Sequence, residues 1–208
     1  SQRQARQAIE KLERAGQGNL LRRHLAYIEA INGPPLIAGN EARVLIDGPA
    51  TFKAMFAAIQ RARDHVNLET YIFDDGAIGE RLADVLIEKR RQGVEINILY
   101  DSVGSLSTPP EFFERLKANA IKVCEFNPVN PLKGKGVSLN HRDHRKILVV
   151  DGVVAFTGGV NVSSVYSSGS ASRARRVSAD ADKTKSGWRD THIEVRGPAV
   201  TKFQDLFA

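Results

Sequence analysis

The chain has 208 residues, 42% hydrophobic and 26% charged, with 17 Gly and 8 Pro. A globular chain of this size buries roughly 70% of its unfolded surface and needs no metal or disulfide staple to fold. Cys124 is the one cysteine, which excludes an intrachain disulfide and a cysteine-based zinc or iron–sulfur site. No apolar run approaches the ~18–20 residues that span a bilayer, and no signal-peptide core opens the chain. Thirty Lys and Arg against 24 Asp and Glu give a net charge of +6. That balance leans toward polyanions or anionic lipid surfaces and equally fits a solubility role. Beginning at Ser1 rather than Met, the chain reads as processed or shortened.

Residues 1–24 read as a basic helical arm, with Ile9, Leu12, Leu20 and Leu21 around a Gly16/Gly18 break; Gly33-Pro34-Pro35 marks the linker that ends it by residue 40. A packing helix suits the short apolar stripe better than a membrane-surface helix. From Glu41 strands and helices alternate. Ala42–Ile46 is predicted as a strand, Pro49 opens a helix, and Phe52, Met55, Phe56 and Ile59 form its apolar stripe. Val66–Phe73 is the next strand, with Asn67, Glu69, Tyr71 and Phe73 on one face. Ile78 to Lys89 reads as a helix closed by Gly93. A strand at Val94–Tyr100, a helix at Pro110–Ala118 and a strand at Ile121–Phe126 follow. This alternation predicts an α/β domain with a largely parallel sheet.

The second half reads differently. Lys146–Val150 and Val153–Phe156 flank Asp151-Gly152, a hairpin signal. Residues 163–187 are rich in Ser and Arg without apolar period and are predicted to be a mobile loop. Strand character returns from Trp188 to Val195, and Pro198–Phe207 reads as a last helix.

The chemistry concentrates around residue 144. His144 and Lys146 lie two apart at the head of a strand, so they project to one face. An ammonium that neutralises phosphoryl oxygens beside an imidazole that attacks phosphorus or moves a proton suits a phosphate ester. Downstream, Gly158 and Gly159 allow close backbone approach, and the Asn161 amide is a donor for a phosphoryl oxygen. Taken singly, each has a plain alternative: a surface pair, turn glycines, and for Asp151 the first position of a hairpin turn.

Taken together, the string His144, Lys146, Asp151, Gly158, Gly159 and Asn161 resembles the signature of the phospholipase D superfamily. The blocks Leu68 to Phe73, Tyr100 to Ser105, Asn140 to Lys146, Val154 to Asn161 and Trp188 to His192 resemble its bacterial cardiolipin synthase branch. The resemblance covers residues 41–208. It implies a phospholipase-D-like α/β sandwich, a mixed, largely parallel sheet flanked by helices, acting without metal or organic cofactor. It implies His144 as a nucleophile that forms a phosphohistidine, Lys146 and Asn161 as phosphoryl binders, and Asp151 as a structural residue. Asp190 occupies the place of the carboxylate that holds the nucleophile's second ring nitrogen. Many family members carry Gly-Ser where this chain has Gly158-Gly159, so a hydroxyl donor is absent, while Gly-Gly is common in the synthase-like branch that the chain resembles.

The family's active site pairs two such motifs, one histidine attacking and the other protonating the leaving group. One copy occurs in these 208 residues, and the chain stops at Phe207-Ala208 inside a predicted helix. It is therefore expected to be the N-terminal half of a two-motif enzyme; a symmetric homodimer is the alternative. The resemblance implies a phosphatidylglycerol-like phospholipid at a membrane surface, phosphatidyl transfer to cardiolipin, and a peripheral place on the bacterial inner membrane. Phospholipid hydrolysis, nucleic-acid cleavage by a homodimer, and a silent lipid-docking module are the alternatives, with nucleic acid the less favoured substrate. Glu69, His192 and Asp101 are further candidates for the site rim, each with a structural alternative. His141 and His144 around Asp143 are too few donors for a metal site.

Overall fold

The computed structural model describes residues 2–16, 18–30, 37–128, 142–167 and 190–207. Two helices come first, α1 (Gln2–Arg14) and α2 (Gly18–Ala30). Gly16 between them stands at φ 76° and ends the first helix, while Arg22 reaches Glu13 at 3.0 Å. Helix therefore continues beyond residue 24, where the arm was expected to end.

The α/β unit runs β1 (Glu41–Ile46), α3 (Asp47–Gln60), β2 (His65–Thr70), α4 (Ala77–Arg91), β3 (Glu95–Asp101), α5 (Pro110–Ala118), β4 (Lys122–Phe126), β5 (Ile147–Val150), β6 (Val154–Gly158), β7 (Thr191–Arg196) and α6 (Val200–Phe207). The strands form one seven-stranded sheet in the order β1-β7-β6-β5-β2-β3-β4. The β2-α4-β3-α5-β4 stretch pairs in parallel, as helical crossovers require. The sheet is mixed, as expected, but its parallel character lies in direction more than in pairing. Five of the seven strands point the same way, whereas four of the six neighbouring pairs are antiparallel. The reason is local: Asp151 and Gly152 take φ 53° and 62°, a two-residue reversal that folds β6 back on β5.

Alternation along the central strands builds two apolar layers. Leu68, Ile96, Ile98, Leu148 and Phe156 face α3, α4 and α5 in the main core, together with Phe52, Leu86 and Phe113. Ile147, Val149 and Ala155 face the other way, against Val200 and Phe203 of α6. Strand β2 stops at Thr70, three residues before the predicted end. Beyond it the Thr70 hydroxyl donates to the carbonyl of Ile72, and Phe73 bridges to Val162. The segment expected to be mobile from residue 163 begins instead with a 3₁₀ turn, Ser164–Tyr166, in which Ser163 accepts from the Val165 amide and Tyr166 is buried. The rest of that expectation, residues 168–187, lies outside the described residues, as do Trp188 and Arg189.

Candidate active site

Sheet order decides where the site forms. Because β5 runs antiparallel between β2 and β6, its start meets the ends of both strands: Ile147 lies opposite Glu69 and Thr157. Strand β7 is antiparallel to β6, which brings His192 opposite Gly158 at the same edge. Residues some 75–120 positions apart in the chain thus converge at one end of the sheet's middle.

His144 lies on the segment leading into β5 and is exposed. Its ring packs on Tyr71 with centroids 4.7 Å apart and planes at 51°. Lys146 is buried, with Nζ donating to the carbonyl of His144 at 2.7 Å and lying 5.2 Å from the centre of the same Tyr71 ring. Burial pushes the Lys146 ammonium down from its ordinary value, and the nearby charges of Asp143 and Asp190 oppose that. The negative face of Tyr71 works in the same direction as those carboxylates. Tyr71, given no role on sequence grounds, is the side chain that touches both members of the pair. A cavity whose lining includes Met55, Glu69, Thr70, Val160 and His192 lies beside Lys146.

Asn161 is also buried. Its Oδ1 accepts from the Ile72 amide at 3.1 Å, and Nδ2 donates to the Tyr166 hydroxyl at 3.0 Å. One N–H of the carboxamide is left for another acceptor. Tyr166, missed because its surroundings read as loop, is thereby an anchor of the site; the apolar pair Val165-Tyr166 within the serine run is the signal that marks it.

Gly158 stands at φ 150°, and a Cβ there would lie 2.5 Å from the Thr191 carbonyl. Gly159 faces Asp190. The Asp190 carboxylate accepts from the Thr191 amide at 3.0 Å, and its backbone carbonyl accepts from the Asp47 amide. Among the described residues no hydrogen bond joins Asp190 to the His144 ring; its charge is felt by Lys146, His192 and Tyr166. His192 is 2% exposed and accepts from the Val160 amide through Nδ1 at 3.3 Å, so its proton sits on Nε2. Burial pushes it down to about 4, against the pull of Asp190 and with the push of Lys146, so it is neutral near pH 7.

Asp151 stands away from these groups. Its two oxygens accept from the backbone amides of Arg63, Asp64 and His65 at 2.9–3.0 Å. Burial raises that carboxyl, but the three backbone donors outweigh it and hold it below its ordinary value. The residue ties the β5–β6 turn to the start of β2.

Two of the three rim candidates are buried and held by neighbouring groups, and Glu69 also lines the cavity beside Lys146. Asp101 is fully buried: Oδ1 accepts from the amides of Val103 and Gly104, and Oδ2 from the amide of Asp143 at 3.0 Å. Glu69 is 1% exposed, on the face of β2 opposite Leu68, with Oε1 2.7 Å from Nη2 of Arg145. Arg145 also binds both oxygens of Asp143, at 3.1 and 3.0 Å. Burial, then the neighbouring Asp143 carboxyl, pushes Glu69 up to about 8. Asp143, although burial raises it, is drawn down to about 2 chiefly by the Arg145 and Glu69 hydrogen bonds. Among the described residues no group of three or more His, Cys, Asp or Glu is placed to hold a metal ion; His141 lies outside them.

Residues 55–169 match the family described as "Cardiolipin synthase, PLD-like domain". The chain is 38% identical over 200 residues to a cardiolipin synthase of Geobacillus kaustophilus (strain HTA426), covering 96% of this chain and 37% of the relative. It is 38% identical over 174 residues to cardiolipin synthase A of Pseudomonas aeruginosa (strain LESB58), covering 84% of this chain and 33% of the relative. The chain thus spans about a third of the length of these relatives. The fold also matches the crystal structure of Nuc, a phospholipase D family member from Salmonella typhimurium, with a TM-score of 0.55, 15% identity, and coverage of 81% of this chain and 92% of that one. With the family model covering more than half of its length, the chain belongs to the PLD-like domain family of the cardiolipin synthases.

Proposed function

We propose that this domain carries one motif of a phosphatidyltransferase that makes cardiolipin from two phosphatidylglycerol molecules. The observation that carries the reading is the exposed His144 ring beside the buried Lys146 ammonium, both on Tyr71, at the edge where Gly158, Gly159, Asn161 and Asp190 converge. An unprotonated ring nitrogen of His144 attacks the phosphorus of the first lipid. A P–N bond forms, the P–O bond to glycerol breaks, and the glycerol oxygen takes a proton from the histidine of a second motif. The hydroxyl of a second phosphatidylglycerol then attacks phosphorus, returns its proton to that histidine and releases His144. Lys146 and the remaining N–H of Asn161 bind the phosphoryl oxygens. Asp190 keeps negative charge beside Lys146 and is the carboxylate proposed for the second nitrogen of His144 once phosphorus is engaged.

The second motif comes from the same polypeptide, or from a second copy of the chain. No helix among the described residues is long and apolar enough to cross a membrane, and we assign substrate access to a peripheral position on the inner-membrane surface. The test is turnover of phosphatidylglycerol vesicles by the enzyme with both motifs present. The expected products are cardiolipin and glycerol, with a phosphorylated His144 trapped on acid quench and none in His144→Ala. Phosphatidic acid as the sole product would make the enzyme a hydrolase, and turnover by His144→Ala would remove the nucleophile assignment.

A further inference from the structure

Behind His144 and Lys146, on the opposite face of the sheet, sits a cluster that the reaction above does not use. Glu69 lies directly across from Ile147, which packs toward α6 and is one residue from Lys146 on a run whose side chains alternate between faces. A carboxylate buried this deeply among strands is costly unless something on the spot requires it. Oε1 of Glu69 is 2.7 Å from Arg145 Nη2, yet neither Glu69 oxygen has an aligned donor. The same Nη2 lies 3.0 Å from Oδ2 of Asp143, so the two carboxyls meet on one guanidinium nitrogen. Two carboxyls that close hold one proton between them. One guanidinium, one carboxylate and one protonated acid then make a neutral, satisfied cluster.

The cluster grips the segment that carries the nucleophile. Asp143 Oδ1 accepts from the Arg145 backbone amide at 3.0 Å, straddling His144, and the Asp143 amide donates to Asp101 at the end of β3. Glu69 at the end of β2 and Asp101 at the end of β3 therefore hold the run 143–146 from one side.

We propose that Glu69 is a positioning residue: by a carboxyl–carboxylate hydrogen bond to Asp143, braced by Arg145, it fixes the segment 143–146 so that His144 and Lys146 meet the phosphodiester on the other face. The inference rests on His144 as nucleophile, and its test separates the two.

In the enzyme with both motifs present, Glu69→Gln keeps an N–H for Asp143 and an oxygen for Arg145. Glu69→Ala keeps neither, and Glu69→Asp keeps the acid but not its reach. Glu69→Ala and Glu69→Asp are expected to lower kcat about tenfold or more with KM little changed. Both are also expected to speed amide hydrogen exchange at 143–146 about tenfold; Glu69→Gln is expected to restore both readouts to within about threefold. Should Glu69→Ala unfold, Glu69→Asp against Glu69→Gln carries the comparison. Wild-type kcat in Glu69→Asp, unchanged exchange, or Glu69→Gln as impaired as Glu69→Asp would overturn the proposal. An enzyme whose exchange responds in this way while His144→Ala still turns over would overturn the nucleophile and leave the bracing by Glu69 standing.

Discussion

The carboxylate of Asp190 fills the space beside Gly159 so closely that a Cβ at residue 159 would collide with its Oδ1 and Cγ. That contact gives a steric reason for glycine at 159: the volume of a side chain there is taken by Asp190. Gly159→Ala and Gly159→Ser must both displace the Asp190 carboxylate. Turnover is expected to fall about tenfold or more in each, with a modest loss of thermal stability. Kinetics beside a melting curve measure both, and a fully active Gly159→Ser would sink the steric argument.

His192 gives stability a pH dependence of known sign. Its ordinary value is 6.5 and burial takes it to about 4. Between those values the unfolded chain binds a proton that the folded chain does not, so stability rises with pH across this window and is flat above it. The gain is about 3 kcal/mol. His192→Gln should lose that slope in urea midpoints measured from pH 4 to 7.

Glu69 acts in the opposite sense. From 4.5 to about 8 the folded protein keeps a proton that the unfolded chain has released, so its contribution falls as pH rises through that range. Glu69→Gln should therefore gain stability relative to wild type as the pH goes from 5 to 9. Parallel urea midpoints for the two proteins over that range would contradict the buried acid.

Asp151 should matter to folding and not to chemistry. Asp151→Ala strips acceptors from three backbone amides at a residue with φ 53°. A loss of about 2–3 kcal/mol in urea unfolding is expected, while turnover per folded molecule stays near wild type. A large loss of kcat in protein shown to be folded would return Asp151 to the site.

Tyr71 is tested by its ring. Tyr71→Phe keeps the face under Lys146 and the contact with His144, and is expected to stay within about threefold of wild-type kcat. Tyr71→Leu removes both and should lose about tenfold or more. Equal loss in the two variants would assign the role to the hydroxyl.

Much of the local structure was legible in the chain. Pro110–Ala118 is helical with the predicted bounds, Asp151-Gly152 turns the hairpin, and the strands differ from prediction by a few terminal residues. The His144, Lys146 and Asn161 string was legible because its spacing is short and its residue types are tied to phosphate chemistry. Asp143 was noticed only as a neighbour of two histidines. Its partners Glu69 and Asp101 lie 74 and 42 positions earlier, and local pattern carries no information about which strand edges will meet. The same holds for Tyr166 under Asn161, whose burial depends on how the chain turns after β6.

By itself, then, the sequence determined the α/β alternation and the hairpin, because those follow from side-chain period and turn conformation. Only the tertiary structure decided that β5 enters antiparallel between β2 and β6. It also decided that Tyr71 underlies both His144 and Lys146, that Asp190 packs on Gly159, and that Glu69 meets Arg145. Each of these is a contact between distant strands, and it exists only once hydrogen-bond pairing has chosen the order and register of the sheet.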